Sequence, residues 1–200
     1  MSELIEKVRR ALEHPAPPSS DFDLNPGVVL PAGRKLRPAA VLVLITPSEE
    51  VVLTKRAAQL KHHPGQIAFP GGKQDEEDES LWACALREAE EEIALEAANA
   101  ELIGTLPEHE TVTGFTVSPQ VALLTREQAF HPAEGEVAEV FRAPLAHVLD
   151  PARFIIEGRM WQGAVRHYYT VPYGPYYIWG ATARMLRGLA ERVHDADHGR

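Results

Sequence analysis

The sequence predicts an α+β protein or an α/β/α sandwich. Three observations carry this reading. Helical periodicity is confined to three separated stretches, near residues 2–13, 79–94 and 181–193. Between them lie several apolar runs of strand length. Strands outnumber helices and do not alternate with them regularly, so a repeated strand–helix–strand pattern is not expected.

Each element has a local cause. Leu4, Ile5, Val8 and Leu12 form an apolar stripe, which predicts an amphipathic helix over 2–13. Pro15, Pro17 and Pro18 break it, and residues 14–38 read as an extended or irregular arm. Ala39 to Thr46 is a continuous apolar run suited to a buried strand. Pro47-Ser48-Glu49-Glu50 is a turn, with Val51 to Lys55 as the hairpin partner. Gln66 to Phe69 is a short strand ending at Pro70-Gly71-Gly72. In the helix over 79–94, Trp82, Leu86, Ala89 and Ile93 form an apolar stripe for the sheet, while Leu81, Ala85, Glu88 and Glu92 lie beside it. Strands are expected over 101–106, 116–124 and 137–142, a hairpin over 153–159 and 164–172, and a last helix near 181–193. This divides the chain into helix and arm (1–38), main domain (39–194) and tail (195–200).

Composition narrows the function classes. Two hundred residues suffice for one sizeable core. A net charge of −9 disfavours nonspecific nucleic-acid binding, which needs a basic surface to displace counterions. An anionic small-molecule substrate is compatible, because a bound metal inverts the local potential. The single cysteine, Cys84, allows no intrachain disulfide and fits a reducing compartment. The first fourteen residues lack a signal-peptide apolar stretch, and no run reaches membrane-spanning length. The expectation is a soluble, cytoplasmic protein, monomeric or homodimeric, with no membrane partner.

The chemistry-bearing stretch is Arg87-Glu88-Ala89-Glu90-Glu91-Glu92, downstream of a Phe-Pro-Gly-Gly turn. Glu88, Glu91 and Glu92 share one helix face at i, i+3 and i+4. Like charges crowded there repel unless a cation lies among them, and a hard divalent ion such as Mg²⁺ or Mn²⁺ takes carboxylate oxygens while keeping waters or phosphates. A solvated helix face is the blander reading of such a run. Arg87 and Glu91 are spaced for Arg87 to orient Glu91. Gly71 and Gly72 permit a turn that β-carbons would block, and their amides could also approach a phosphate. Arg56, Lys61, His62 and His63 form a basic island, either an exposed loop or a phosphate contact. Cys84 reads as a buried structural thiol, and His109, with no zinc partners, as loop surface or alternatively as pocket lining. The five tyrosines between 168 and 177 read as packing under a loop, and Phe115 as a substrate contact.

Residues Gly72 to Leu95 resemble the Nudix box of diphosphate hydrolases: Arg87-Glu88, Ala89, Glu91-Glu92 and Leu95 fall into place. There are two departures. Glu79 is the acid that matches the box by its spacing to Arg87, one residue further from Gly72 than usual, whereas Asp78 fits the glycine spacing. Ala94 stands where the box has glycine. Upstream, Val52-Leu53-Thr54-Lys55-Arg56-Ala57, Lys61, Gly65 and Phe69-Pro70-Gly71-Gly72 resemble the signature of coenzyme A pyrophosphatases, with Lys61 where arginine is usual. Val112-Thr113-Gly114-Phe115 and Ile178 to Arg184 are also similar to that subfamily. The resemblance implies the α+β Nudix fold, an α/β/α sandwich with a mixed central sheet, over 39–194, and hydrolysis of the coenzyme A diphosphate. It implies Glu88, Glu92 and Glu91 as metal ligands, and Glu91, Glu92 and Arg87 in catalysis, with Glu134 or Glu136 as alternative loop bases. Arg56, Lys61, Gly71, Gly72 and Phe115 are the implied substrate contacts.

Overall fold

A computed structural model describes residues 2–30, 33–161 and 163–198. Helix α1 (Glu3–Glu13) starts where the Ser2 side chain accepts the Ile5 amide, and it buries Ile5, Val8 and Ala11. The arm that follows is not wholly irregular. Its strand β1 (Ser19–Ser20) pairs in parallel with β7 (His109–Glu110), adding an edge to the main sheet.

Strand β2 (Arg37–Ile45) is the spine. Its odd positions Ala39, Val43 and Ile45 face one core cluster, and its even positions Ala40, Leu42 and Leu44 face another. Burial on both faces is why the run carries no polar alternation. The expected hairpin exists, but β2 and β3 (Glu50–Arg56) pair only at Ile45↔Val51 before parting. From there β3 runs antiparallel to β9 (Val137–Pro144) and to the short β4 (Ile67–Ala68). β2 instead pairs with β5 (Gly71–Lys73) and, in parallel, with β8 (Phe115–Leu124) from Arg37↔Phe115 to Ile45↔Leu123. The upper half of β8 also carries β6 (Ala100–Thr105), and its lower half carries β7.

Two helical layers close the sandwich. Helix α2 (Leu81–Ile93) is capped by the Ser80 hydroxyl and lays Cys84, Ala85, Ala89 and Ile93 on one face of the sheet. On the other face α1 packs with α3 (Leu145–Val148) and α4 (Gly180–His198), which contributes Ala183, Leu186, Leu189, Ala190 and Val193. The hairpin of β10 (Ile155–Trp161) and β11 (Ala164–Thr170) forms a separate two-stranded sheet that abuts α4. The architecture is the expected α+β sandwich with a mixed sheet. No described helix is long and apolar enough to cross a membrane.

Candidate active site

The site is built where β5 meets α2. Gly71 adopts φ 148°, and a β-carbon there would lie 2.4 Å from the Ala40 carbonyl oxygen, so the close approach to β2 requires glycine. A β-carbon on Gly72 would fall 2.5 Å from the Glu88 carboxyl. The Gly71 amide donates to Glu92 Oε2 at 3.1 Å. The two glycines therefore serve the glutamates directly: one supplies a donor, the other supplies room.

The three glutamates of the shared face meet different environments. Glu92 is 7 % exposed. Burial pushes its carboxyl up to about 7, opposed by the Gly71 amide and Arg56 and reinforced by the charges of Glu88 and Glu136. Glu88, with its side chain 18 % exposed, is also raised by burial, against the pull of Arg87. Glu91 is 59 % exposed and lies 3.4 Å from Arg87. Among the described residues no three His, Cys, Asp or Glu side chains converge tightly enough to hold a metal unaided. Glu88 and Glu92 still fit a hard cation: two neighbouring carboxylates, both disfavoured as anions by burial, and a coordination habit that leaves room for water and phosphate.

Arg87 is tied chiefly to Asp78 rather than to Glu91. Its Nε and Nη2 donate to the two Asp78 carboxylate oxygens, each at 2.9 Å. Further bonds run to Glu88 and to the Lys73 carbonyl. The Arg87 hydrogen bonds hold Asp78 down at about 2, against the opposing effect of burial. Asp78, whose side chain is 5 % exposed, is thus the acid that clamps the loop. Glu79, selected by its spacing to Arg87, is exposed and makes no hydrogen bond or ion pair among the described residues. The loop bends so that the residue with the correct distance from the glycine reaches the arginine.

The helix exit also carries a consequence of the sequence. Ala94 ends α2 in the left-handed conformation (φ 55°, ψ 40°), its amide bonded back to Glu90 and Ala89. Beyond it, the Ala133 and His131 amides cap the Glu92 and Ile93 carbonyls, which brings the 131–137 loop and Glu136 beside the site. Glu134 is exposed on the same loop.

Arg56, at the end of β3, is close enough to both Glu92 and His63 to shift each of them. Its Nε is buried without a partner. Lys61 and His62 are exposed. Cys84 is buried and its thiol is pushed up to about 11 by burial, which suits packing and not nucleophilic attack. His109 is not loop surface: it is fully buried, bonded to Ser19 Oγ at 2.9 Å and Asp21 Oδ1 at 3.3 Å. Phe115 lies under the Arg37 guanidinium, 4.0 Å from its ring centroid, and packs on the core. Tyr176 stacks on Phe141, while Tyr168 and Tyr169 line a cavity of about 420 Å³. That cavity is walled by the arm near Asp21, the loop around Val112, the β10–β11 hairpin and the start of α4. The stretches 112–115 and 178–184, singled out by resemblance, both contribute to it, but no local pattern joins them, because its walls come from segments as far apart as Ser20 and Arg184.

Known proteins place these features in a family. Residues 35–160 match the NUDIX domain. A protein of Cronobacter sakazakii named "Uncharacterized Nudix hydrolase NudL" is 43 % identical over 167 residues, covering 78 % of this chain and 83 % of that one. Its namesake in Pectobacterium atrosepticum is 41 % identical over 164 residues, covering 80 % and 84 %. In fold, the chain is similar to the MutT protein of Methanosarcina mazei, with a TM-score of 0.54 at 18 % identity over 84 % of this chain and 99 % of that one. The chain belongs to the Nudix hydrolase family, whose members act on nucleoside diphosphate derivatives and generally use divalent metal ions.

Proposed function

We propose that the protein hydrolyses the diphosphate of coenzyme A to 4′-phosphopantetheine and adenosine 3′,5′-diphosphate. The carrying observation is the meeting of two sequence signatures at one point. Arg56 belongs to the stretch resembling coenzyme A pyrophosphatases, and it lies beside Glu92 of the box with an unsatisfied buried Nε. A buried guanidinium N–H without an acceptor favours an anionic oxygen arriving from outside.

The residues divide the work as follows. Glu88 and Glu92 would hold Mg²⁺ or Mn²⁺, with Glu91 as a further ligand or as base. The ion, when bound, neutralises diphosphate charge and acidifies water. Arg56, beside Glu92, and Lys61 would orient the phosphates. Arg87 acts through others, holding Glu88 in place and fastening the loop through Asp78. Gly71 and Gly72 keep the carboxylates where they are. Glu136, near Glu92, is the better placed of the two loop bases.

The test is chromatography of products after incubation with coenzyme A, with Mg²⁺, Mn²⁺ or chelator. Metal-dependent release of adenosine 3′,5′-diphosphate is expected, with most turnover lost in Glu88→Gln and its melting curve retained. Near-native turnover in that variant refutes the metal assignment. A coenzyme A sample left intact while NADH or ADP-ribose is cleaved moves the substrate to another nucleoside diphosphate derivative.

A further inference from the structure

The cavity beside the β10–β11 hairpin has no role in the chemistry above, yet it adjoins that site. His63 lies in its wall, and Arg56 stands near both His63 and Glu92. The cavity therefore opens at the corner where the phosphates are expected. Its volume of about 420 Å³ falls in the range usual for small-molecule sites.

Two features of the lining point to a ligand. The first is a pair of like charges. Arg159 and Arg166 are direct cross-strand partners in the β10–β11 hairpin, and both border the cavity. Like charges directly opposite on one sheet face destabilise the pairing unless an anion joins them. Arg166 is engaged by Asp21 at 3.5 Å. The Arg159 side chain makes no hydrogen bond, ion pair or ring contact among the described residues. The second feature is aromatic. Tyr168 and Trp179 meet edge to face with centroids 5.1 Å apart and form a flat-ring environment, with the Gln66 amide and the Thr113 hydroxyl nearby.

We infer that this cavity takes the phosphorylated nucleoside portion of the substrate, with Arg159 contacting a phosphate at its mouth and Tyr168 and Trp179 bordering the base. The inference rests on the reading of the neighbouring site as a diphosphatase. The pantetheine portion is long, flexible and without a ring, so it makes less use of an aromatic wall and an unpaired guanidinium. The arm acquires a role in this account. Asp21 accepts the Val112 amide at 2.8 Å and anchors Arg166, while Asn25 bonds the His167 backbone in both directions. These bonds hold the arm as the wall of the pocket.

The test is calorimetric titration of the full chain in chelator, where no turnover occurs, with adenosine 3′,5′-diphosphate, adenosine and 4′-phosphopantetheine. Adenosine 3′,5′-diphosphate is expected to bind, and Arg159→Ala to weaken it about tenfold or more, the loss of one charge-assisted hydrogen bond. Adenosine alone should not respond to that variant, and its melting curve should not fall, because Arg159 is exposed and its removal relieves the like-charge pair with Arg166. Tyr168→Ala, checked for folding in the same way, should weaken both nucleoside ligands. Failure of adenosine 3′,5′-diphosphate to bind, an unchanged affinity in Arg159→Ala, or Arg159-dependent binding of 4′-phosphopantetheine instead overturns the inference. Arg159-dependent nucleotide binding without coenzyme A cleavage leaves the pocket standing and removes the substrate reading. Cleavage of coenzyme A with an unchanged KM in Arg159→Ala does the reverse.

Discussion

The Arg87–Asp78 clamp allows two adjacent acids to be told apart by experiment. Asp78 receives both arms of the guanidinium at 2.9 Å and its side chain is 5 % exposed, while Glu79 is exposed and unpartnered among the described residues. Removing one partner of a sealed ion pair costs about 3–5 kcal/mol, and the 29 % exposure of Arg87 brings the expectation for Asp78→Ala down to about 2–4 kcal/mol. Glu79→Ala should cost no more than about 0.5 kcal/mol, the usual range for a surface change. Urea unfolding at neutral pH measures both, with the m-value confirming that the denatured state is comparable. The pH dependence adds a second check. The folded Asp78 carboxyl is depressed to about 2, so its contribution is fully present above its ordinary value of 3.8 and is lost as pH falls toward 2. The gap between the wild type and Asp78→Ala should therefore close between about pH 4 and pH 2. A large cost for Glu79→Ala together with a negligible one for Asp78→Ala refutes the assignment.

Three further outcomes are expected. Ala94→Gly should stabilise the protein by about 0.5–1 kcal/mol, raising Tm by about 1–4 °C, because glycine relieves the left-handed strain and gives back part of that in chain entropy; a lower Tm contradicts the strain at the helix exit. Gly72→Ala drives a methyl into the Glu88 carboxyl, so turnover should fall roughly a hundredfold while the melting curve moves little, since a flexible side chain can swing away; unchanged kcat counts against the glycine's role. In chelator, Glu92 holds a proton in the folded state that the unfolded chain releases between about pH 4.5 and 7. Its contribution therefore falls as pH rises through that window, by at most roughly 3 kcal/mol, and Glu92→Gln should flatten the loss. Parallel Tm–pH profiles for the two proteins would exclude that coupling.

Much of the fold was legible because its causes are local. The apolar run over 39–46 became the central strand, and 2–13, 79–94 and 181–193 became helices, with Ile5, Val8, Ala89 and Ile93 buried and Leu4, Leu12, Trp82 and Leu86 partly so. The grouping of Glu88 and Glu92 followed from helical spacing alone. Glu91 shows where spacing stops being sufficient: it shares the face, yet it is exposed and turned to Arg87, because the rotamer depends on what packs nearby. The choice between Asp78 and Glu79 lay outside the reach of spacing for a similar reason. Two spacing rules conflicted there, and only the path of the loop decides which carboxylate meets the guanidinium.

The sequence by itself determined the order of strands and helices and the acidic helix behind a Gly-Gly turn, since amphipathic period and turn chemistry act over a few residues, while the reaction class came from the resemblance of Gly72 to Leu95 to the Nudix box. Tertiary structure alone decided the parallel pairing of β2 with β8, the burial of His109 and the pocket. These rest on contacts between distant segments, such as Ser19 with His109 and Asn25 with His167, 90 and 142 residues apart. Nothing in a local pattern records which remote partner satisfies a buried polar group. The condition that it be satisfied is met only when the whole chain is folded.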